Sequence, residues 1–82
     1  MREQQPEAQK APESGDRRST RLPGLRAARR RRGLTQRELA ALAGTGAGTV
    51  ADLESGRRGG YPKTVRRIAD ALGTDVEHLI EE

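Results

Sequence analysis

The sequence predicts an all-α domain of five short helices behind a polar arm. Three observations carry that expectation. From Leu22 onward apolar residues recur at three- and four-residue spacing, the mark of helices with one buried face. Glycines stand where each periodic segment stops, at Gly33, Gly44, Gly56 and Gly73. Thr35 stands three residues before Glu38, which is the spacing of a capping box.

Residues 1–20 are rich in Gln, Glu, Pro, Ser and Arg and hold almost nothing to bury. Such a composition cannot offset the entropy lost on ordering, so these residues are expected to form a disordered arm. The arm ends on Arg17-Arg18-Ser19-Thr20-Arg21, a basic stretch able to follow a nucleic-acid backbone or enter a minor groove. The plainer reading, an unengaged solubilising tail, is favoured. Residues 21–82 then form the folded domain.

The first helix is expected over Pro23–Arg32. Leu22, Leu25 and Ala28 supply its apolar period, and Pro23 fits a first turn, where its missing N–H costs nothing. The second helix opens at Thr35 and ends before Gly44, with Leu39, Ala40 and Ala43 inward; Leu42 falls at the outer edge of that face, its burial undecided. The third spans Ala47–Ser55, with Val50, Leu53 and Glu54 inward. A loop over Arg57, Arg58, Gly59, Gly60 and Tyr61 leads to Pro62, which opens the fourth; Val65, Ile68, Ala69 and Leu72 face its core. Thr74 or Asp75 caps a last helix carrying Val76, Leu79 and Ile80. Leu25, Leu39, Val50, Leu53, Ile68 and Leu72 are expected to share one core.

Composition narrows what such a domain can do. A chain of 82 residues supports one small domain, which buries a modest fraction of its surface. It has no Cys and one His, so a structural zinc site is excluded, and no cofactor is implied. Tyr61 is the sole aromatic residue, too little for the stacking platforms that hold single strands. Nine arginines and no acid lie between Arg17 and Arg37, and Arg57, Arg58, Lys63, Arg66 and Arg67 form a second basic group. Asp70, Asp75, Glu77, Glu81 and Glu82 make the C-terminal end acidic. One basic side and one acidic end suit a module that docks on phosphate. Most charge runs merely solvate helix faces, and part of Arg29-Arg30-Arg31-Arg32 must do so, since four successive residues wrap round a helix. No apolar run approaches the about 20 residues that span a bilayer, and MREQQPEAQK lacks a signal-peptide core. A cytoplasmic protein without membrane partners is therefore expected.

The stretch Leu34–Gly56 joins two short amphipathic helices through a glycine turn, the layout of a helix-turn-helix. The second helix of such a pair can lie in the DNA major groove, so double-stranded DNA is the first partner to consider. An enzyme is not expected. His78 sits in an acidic helix with no nucleophile arranged near it. Gly44-Thr45-Gly46-Ala47-Gly48 follows a helix instead of a strand and lacks the lysine of a phosphate-cradling loop. No catalytic residue and no metal ligand are assigned.

The run LRAARRRRGLTQRELAALAGTGAGTVADLESGRR, followed by TVRRIADALGTDVEHLI, resembles the Cro/repressor-type helix-turn-helix family, also called the xenobiotic-response-element type. The likeness rests on Leu25 and Arg29 before Gly33, Leu34-Thr35-Gln36, Leu39-Ala40, Gly44, Val50, Leu53-Glu54, Gly56, and Ile68-Ala69 with Ala71-Leu72-Gly73. It covers Leu22 to Ile80. The resemblance implies a compact lambda-repressor-like domain that binds DNA and regulates transcription. It implies an ion pair between Arg29 and Glu54 that ties the first helix to the third, and a backbone-phosphate contact from Gln36. Ordinary first-turn polarity is the plainer role for Gln36.

The departures matter as much. Family members place polar or cationic side chains along the outer face of the third helix, where this chain has Gly46, Ala47, Gly48, Thr49 and Asp52. Direct base readout is therefore expected to be thin. The residues expected to meet DNA are Arg30, Gln36, Thr45, Ala47, Thr49, Arg57, Arg58 and Lys63, with Ala47 able to touch a thymine methyl. That shortfall keeps a second reading open. The stretch TVADLESGR is also similar to multiprotein bridging factors, coactivators that use this fold for protein contacts. A third alternative is the antitoxin half of a toxin–antitoxin pair. The chain is expected to be a monomer in free solution, with a dimer forming only on DNA or through a partner.

Overall fold

The computed structural model describes residues 19–81, so all but the last two residues of the arm expected over residues 1–20 lie outside the described residues. Five helices follow in order: α1 (Leu25–Arg31), α2 (Gln36–Ala43), α3 (Ala47–Ser55), α4 (Pro62–Leu72) and α5 (Val76–Ile80). No strand occurs among the described residues. α2 packs against both α3 and α4, while α1 closes the bundle against α3 and α5.

Local chemistry accounts for most of the helix ends. The Thr35 hydroxyl accepts from the Glu38 N–H at 3.0 Å, and the Glu38 carboxylate accepts from the Thr35 N–H at 2.8 Å. Both bonds of the capping box are thus made, and they start α2. Pro62 opens α4, which buries Val65, Ile68, Ala69 and Leu72 along one stripe. α3 has less of its own to rely on. Its N-cap is Gly46, no side chain caps it, and Gly48 lies in its first turn. Burial of Val50 and Leu53 must hold it as a helix.

The first helix begins two residues later than the sequence predicts. Pro23 is in a turn, and Gly24 is the N-cap of α1. The reason is a close approach from the far end of the chain. The Gly24 N–H donates to the Leu79 carbonyl at 2.8 Å, and a Cβ at Gly24 would lie 2.3 Å from the Glu81 carbonyl oxygen. This turn leaves Leu22 outside the helix yet fully buried.

Leu25, Leu39, Val50, Leu53, Ile68 and Leu72 share one core, joined by Leu22 and Leu79. Leu42 is 62% exposed and takes no part in it. Thr20 and Gly60 exchange backbone N–H···O bonds of 2.8 Å in both directions, an isolated antiparallel bridge. That bridge pins the turn after α3 to the chain that enters α1.

Two substitutions separate packing from capping. Leu39→Ala removes a side chain with no exposed surface and is expected to cost about 2–5 kcal/mol. Thr35→Ala removes one cap and is expected to cost about 1 kcal/mol. Urea unfolding followed by circular dichroism checks both; equal losses would mean that Leu39 is not in a packed core.

Candidate nucleic-acid interface

α2, the turn at Gly44 and α3 form the helix-turn-helix, and its geometry is set by a carboxylate beneath it. Glu54, near the end of α3, has a side chain with no exposed surface. Arg29 on α1 donates to it through Nε, and through a terminal nitrogen at 3.1 Å. A third Arg29 nitrogen donates to the Leu34 carbonyl at 2.7 Å, so one guanidinium braces both α3 and the α1–α2 turn. Arg26, one helical turn earlier, donates to Glu54 Oε1 at 3.3 Å, and the Gln36 amide nitrogen donates to the same oxygen at 3.0 Å.

Burial alone would raise the Glu54 carboxyl. The hydrogen bonds from Arg29 and Gln36, the charge of Arg29 and the hydrogen bond from Arg26 together outweigh it and hold the carboxyl below its ordinary value. The hydrogen bond donated to Glu54 in turn raises the Arg29 guanidinium above its ordinary value, against the opposing effect of burial and with help from the Glu54 charge.

The outer side of α3 is built differently. Thr49 on α3 and Thr45 in the turn before it are half-buried there, whereas Ala47, expected from sequence at a base edge, is packed against the core. Thr45 and Thr49 line a depression of about 260 Å³ with Ser19, Arg58, Tyr61 and Thr64, floored by Leu53 and the backbone of Gly59 and Gly60. Arg58 donates to the Thr49 hydroxyl at 3.0 Å. Asp52 on the same helix lies 3.7 Å from an Arg57 nitrogen and 3.9 Å from an Arg58 nitrogen. Lys63 is exposed beside Thr64 in the first turn of α4, whose N-terminus carries no side-chain cap. That end of α4 adds the positive pole of a helix dipole.

Three of the residues expected from sequence, Thr45, Thr49 and Arg58, therefore meet in one depression. Arg57 joins them through Asp52. Arg30 is exposed on α1 and is not part of that lining. Gln36 turns its amide to Glu54, which occupies one of its two N–H donors and leaves the other for a ligand. Sequence reasoning missed Arg26, although its three-residue spacing from Arg29 puts both on one helix face. It also missed the bond from Arg21 to the Gly56 carbonyl, which joins segments with no local relation. No cluster of three metal-ligating side chains occurs among the described residues, and none of their helices is long and apolar enough to cross a membrane.

Comparison with known proteins agrees with this architecture. Residues 24–82 match the family described as a helix-turn-helix domain. The chain is similar to the solved structure of the clp gene regulator ClgR from C. glutamicum, with 32% identity and a TM-score of 0.64 over 68% of this chain and 73% of that one. No curated protein matches the chain.

The Glu54 centre has consequences for stability. Arg29→Ala strands a covered carboxylate and is expected to cost roughly 3–5 kcal/mol. Acid acts on the same centre. The Glu54 carboxyl is held below its ordinary value of 4.5 only in the folded chain, so the unfolded chain takes up the proton first as pH falls. Its contribution is complete above the ordinary glutamate range and is lost as pH falls through the lower folded value. Thermal unfolding followed from pH 6 downward is expected to show a falling midpoint, with a flatter profile for Glu54→Gln. Parallel profiles would contradict the assignment.

Proposed function

The chain belongs to the helix-turn-helix domain family, and on that premise we propose that it is a transcriptional regulator that binds double-stranded DNA. The observation that carries this reading is the meeting of Thr45, Thr49 and Arg58 beside the outward face of α3. A helix of this kind fits a major groove about 12 Å wide. The likeness to a solved gene regulator supports the same conclusion.

Phosphate contacts supply most of the affinity. Arg30, Arg57, Arg58 and Lys63 are exposed cations suited to the backbone. Gln36, steadied by Glu54, offers its second amide N–H to a phosphate at the start of α2. Thr45 and Thr49 lie nearest to base edges. The protein is a monomer before it meets DNA. Leu79 is spent in the domain's own core and Val76 is half-buried, which leaves Ile80 exposed among Asp75, Glu77 and Glu81. One exposed apolar residue in an acidic segment is too little for a two-fold contact through α5, where like charges would face each other.

Titration of labelled duplex at several salt concentrations tests the binding reading. Log K is expected to fall linearly with log salt at about −0.9 per phosphate neutralised. Lys63→Ala is expected to weaken binding on every sequence and to reduce that slope by about 1. Absence of binding at low salt would contradict the reading and favour a bridging-factor role with a protein partner. Sedimentation equilibrium without DNA is expected to return the monomer mass; a stable dimer would contradict the proposed assembly.

A further inference from the structure

One carboxylate stands on the face that the DNA-binding reading turns toward phosphate. Asp52 follows Thr49 by three residues and so shares its side of α3. Its side chain is 34% exposed. Each of its oxygens is approached by a different arginine, Arg57 at 3.7 Å and Arg58 at 3.9 Å. Arg58 also holds the Thr49 hydroxyl at 3.0 Å, so Asp52, Thr49 and Arg58 form one connected group.

Folding does not account for this arrangement, because exposed pairs at such separations contribute little to stability. It is also unfavourable for simple phosphate binding. The carboxylate repels phosphate and engages two of the cations best placed to meet it. Gly46, the N-cap of this helix, and Ala47 and Gly48 in its first turn offer no hydrogen-bonding side chain. Within α3 itself, Asp52 is the ionised residue on this face, since Glu54 is turned to Arg29. A carboxylate only accepts hydrogen bonds, and its usual partner in the major groove is the N4 amino group of cytosine.

We propose that Asp52 is the specificity-determining residue of this domain: its carboxylate accepts a hydrogen bond from cytosine N4 and disfavours bases that present an acceptor to it, guanine and thymine through their oxygens and adenine through N7. Arg57 and Arg58 hold the carboxylate in the free protein. On a matching site cytosine takes their place, and the two arginines turn to the flanking phosphates. On a mismatched site either the carboxylate is left unpaired or the arginines stay with it and are lost to the backbone. This inference rests on the DNA-binding reading and deepens it.

The test compares wild type with Asp52→Asn by selection from a randomised duplex library, followed by titration of the recovered site and of an unrelated duplex. Circular dichroism melting of Asp52→Asn is expected to match wild type, since the side chain is not in the core. Wild type is expected to select cytosine at one position and to lose about fivefold or more in affinity when that base is replaced. Asp52→Asn is expected to lose the cytosine preference in favour of adenine, which an amide recognises. It is also expected to bind unrelated duplex about fivefold more tightly at low salt, because a phosphate-repelling charge has gone. An unchanged base preference in Asp52→Asn, or weaker binding to unrelated duplex, would overturn the proposal. Binding by neither protein would overturn the DNA-binding reading, and this inference with it.

Discussion

A carboxylate removed from water has to be neutralised where it lies, and the arrangement of helices in this domain follows from how Glu54 is neutralised. Its donors come from Arg26 and Arg29 on α1 and from Gln36 at the start of α2, while Glu54 itself belongs to α3. Three helices are therefore referred to one side chain. Arg29 extends the constraint by holding the Leu34 carbonyl in the turn between α1 and α2. The hydrogen bonds from Arg29 and Gln36, with the charge of Arg29 and the weaker bond from Arg26, are why Glu54 stays ionised despite being covered.

The dependence is sharpest for α3, which has the weakest intrinsic case for being a helix. Two glycines at its start and the absence of a side-chain cap leave its position to Val50 and Leu53 on the core side and Glu54 at its end. The turn that follows is held from outside the helix pair. Arg21 donates to the Gly56 carbonyl, and Thr20 pairs with Gly60. Arg57 and Arg58 thus project from a turn fastened at both ends. Rigid support beneath and exposed, weakly paired arginines above are what a helix needs to keep its angle while its surface adapts to DNA.

Sequence reasoning reached the helices because their signals are local. The Thr35–Glu38 capping box, the stripe from Val65 to Leu72 and the glycine stops need only a few neighbouring residues to be read. It failed where a distant segment decides. Pro23 looks like a helix start until the carbonyls of Leu79 and Glu81 crowd Gly24 and move the start to Leu25. Thr20 looks like the end of a polar arm, yet its backbone is paired with Gly60. Leu42 sits at the margin of the apolar face of α2, and only packing decided that it is exposed. The candidate site divides in the same way. Thr45, Thr49, Arg57 and Arg58 could be named from their place around the motif. The turning of Gln36 toward Glu54, and the grip of two arginines on Asp52, are tertiary facts with no trace in spacing.

The central claim is that the outward side of α3, with the turn after it and the start of α4, is the surface that receives DNA. Titrating duplex DNA into isotopically labelled protein and following backbone amide resonances tests this most directly. The largest shifts are expected at Gln36, from Thr45 to Asp52, and from Arg57 to Thr64, with Val76 to Ile80 unmoved. Shifts centred on α5 or on the exposed Leu42, or a spectrum indifferent to duplex DNA at low salt, would contradict the account.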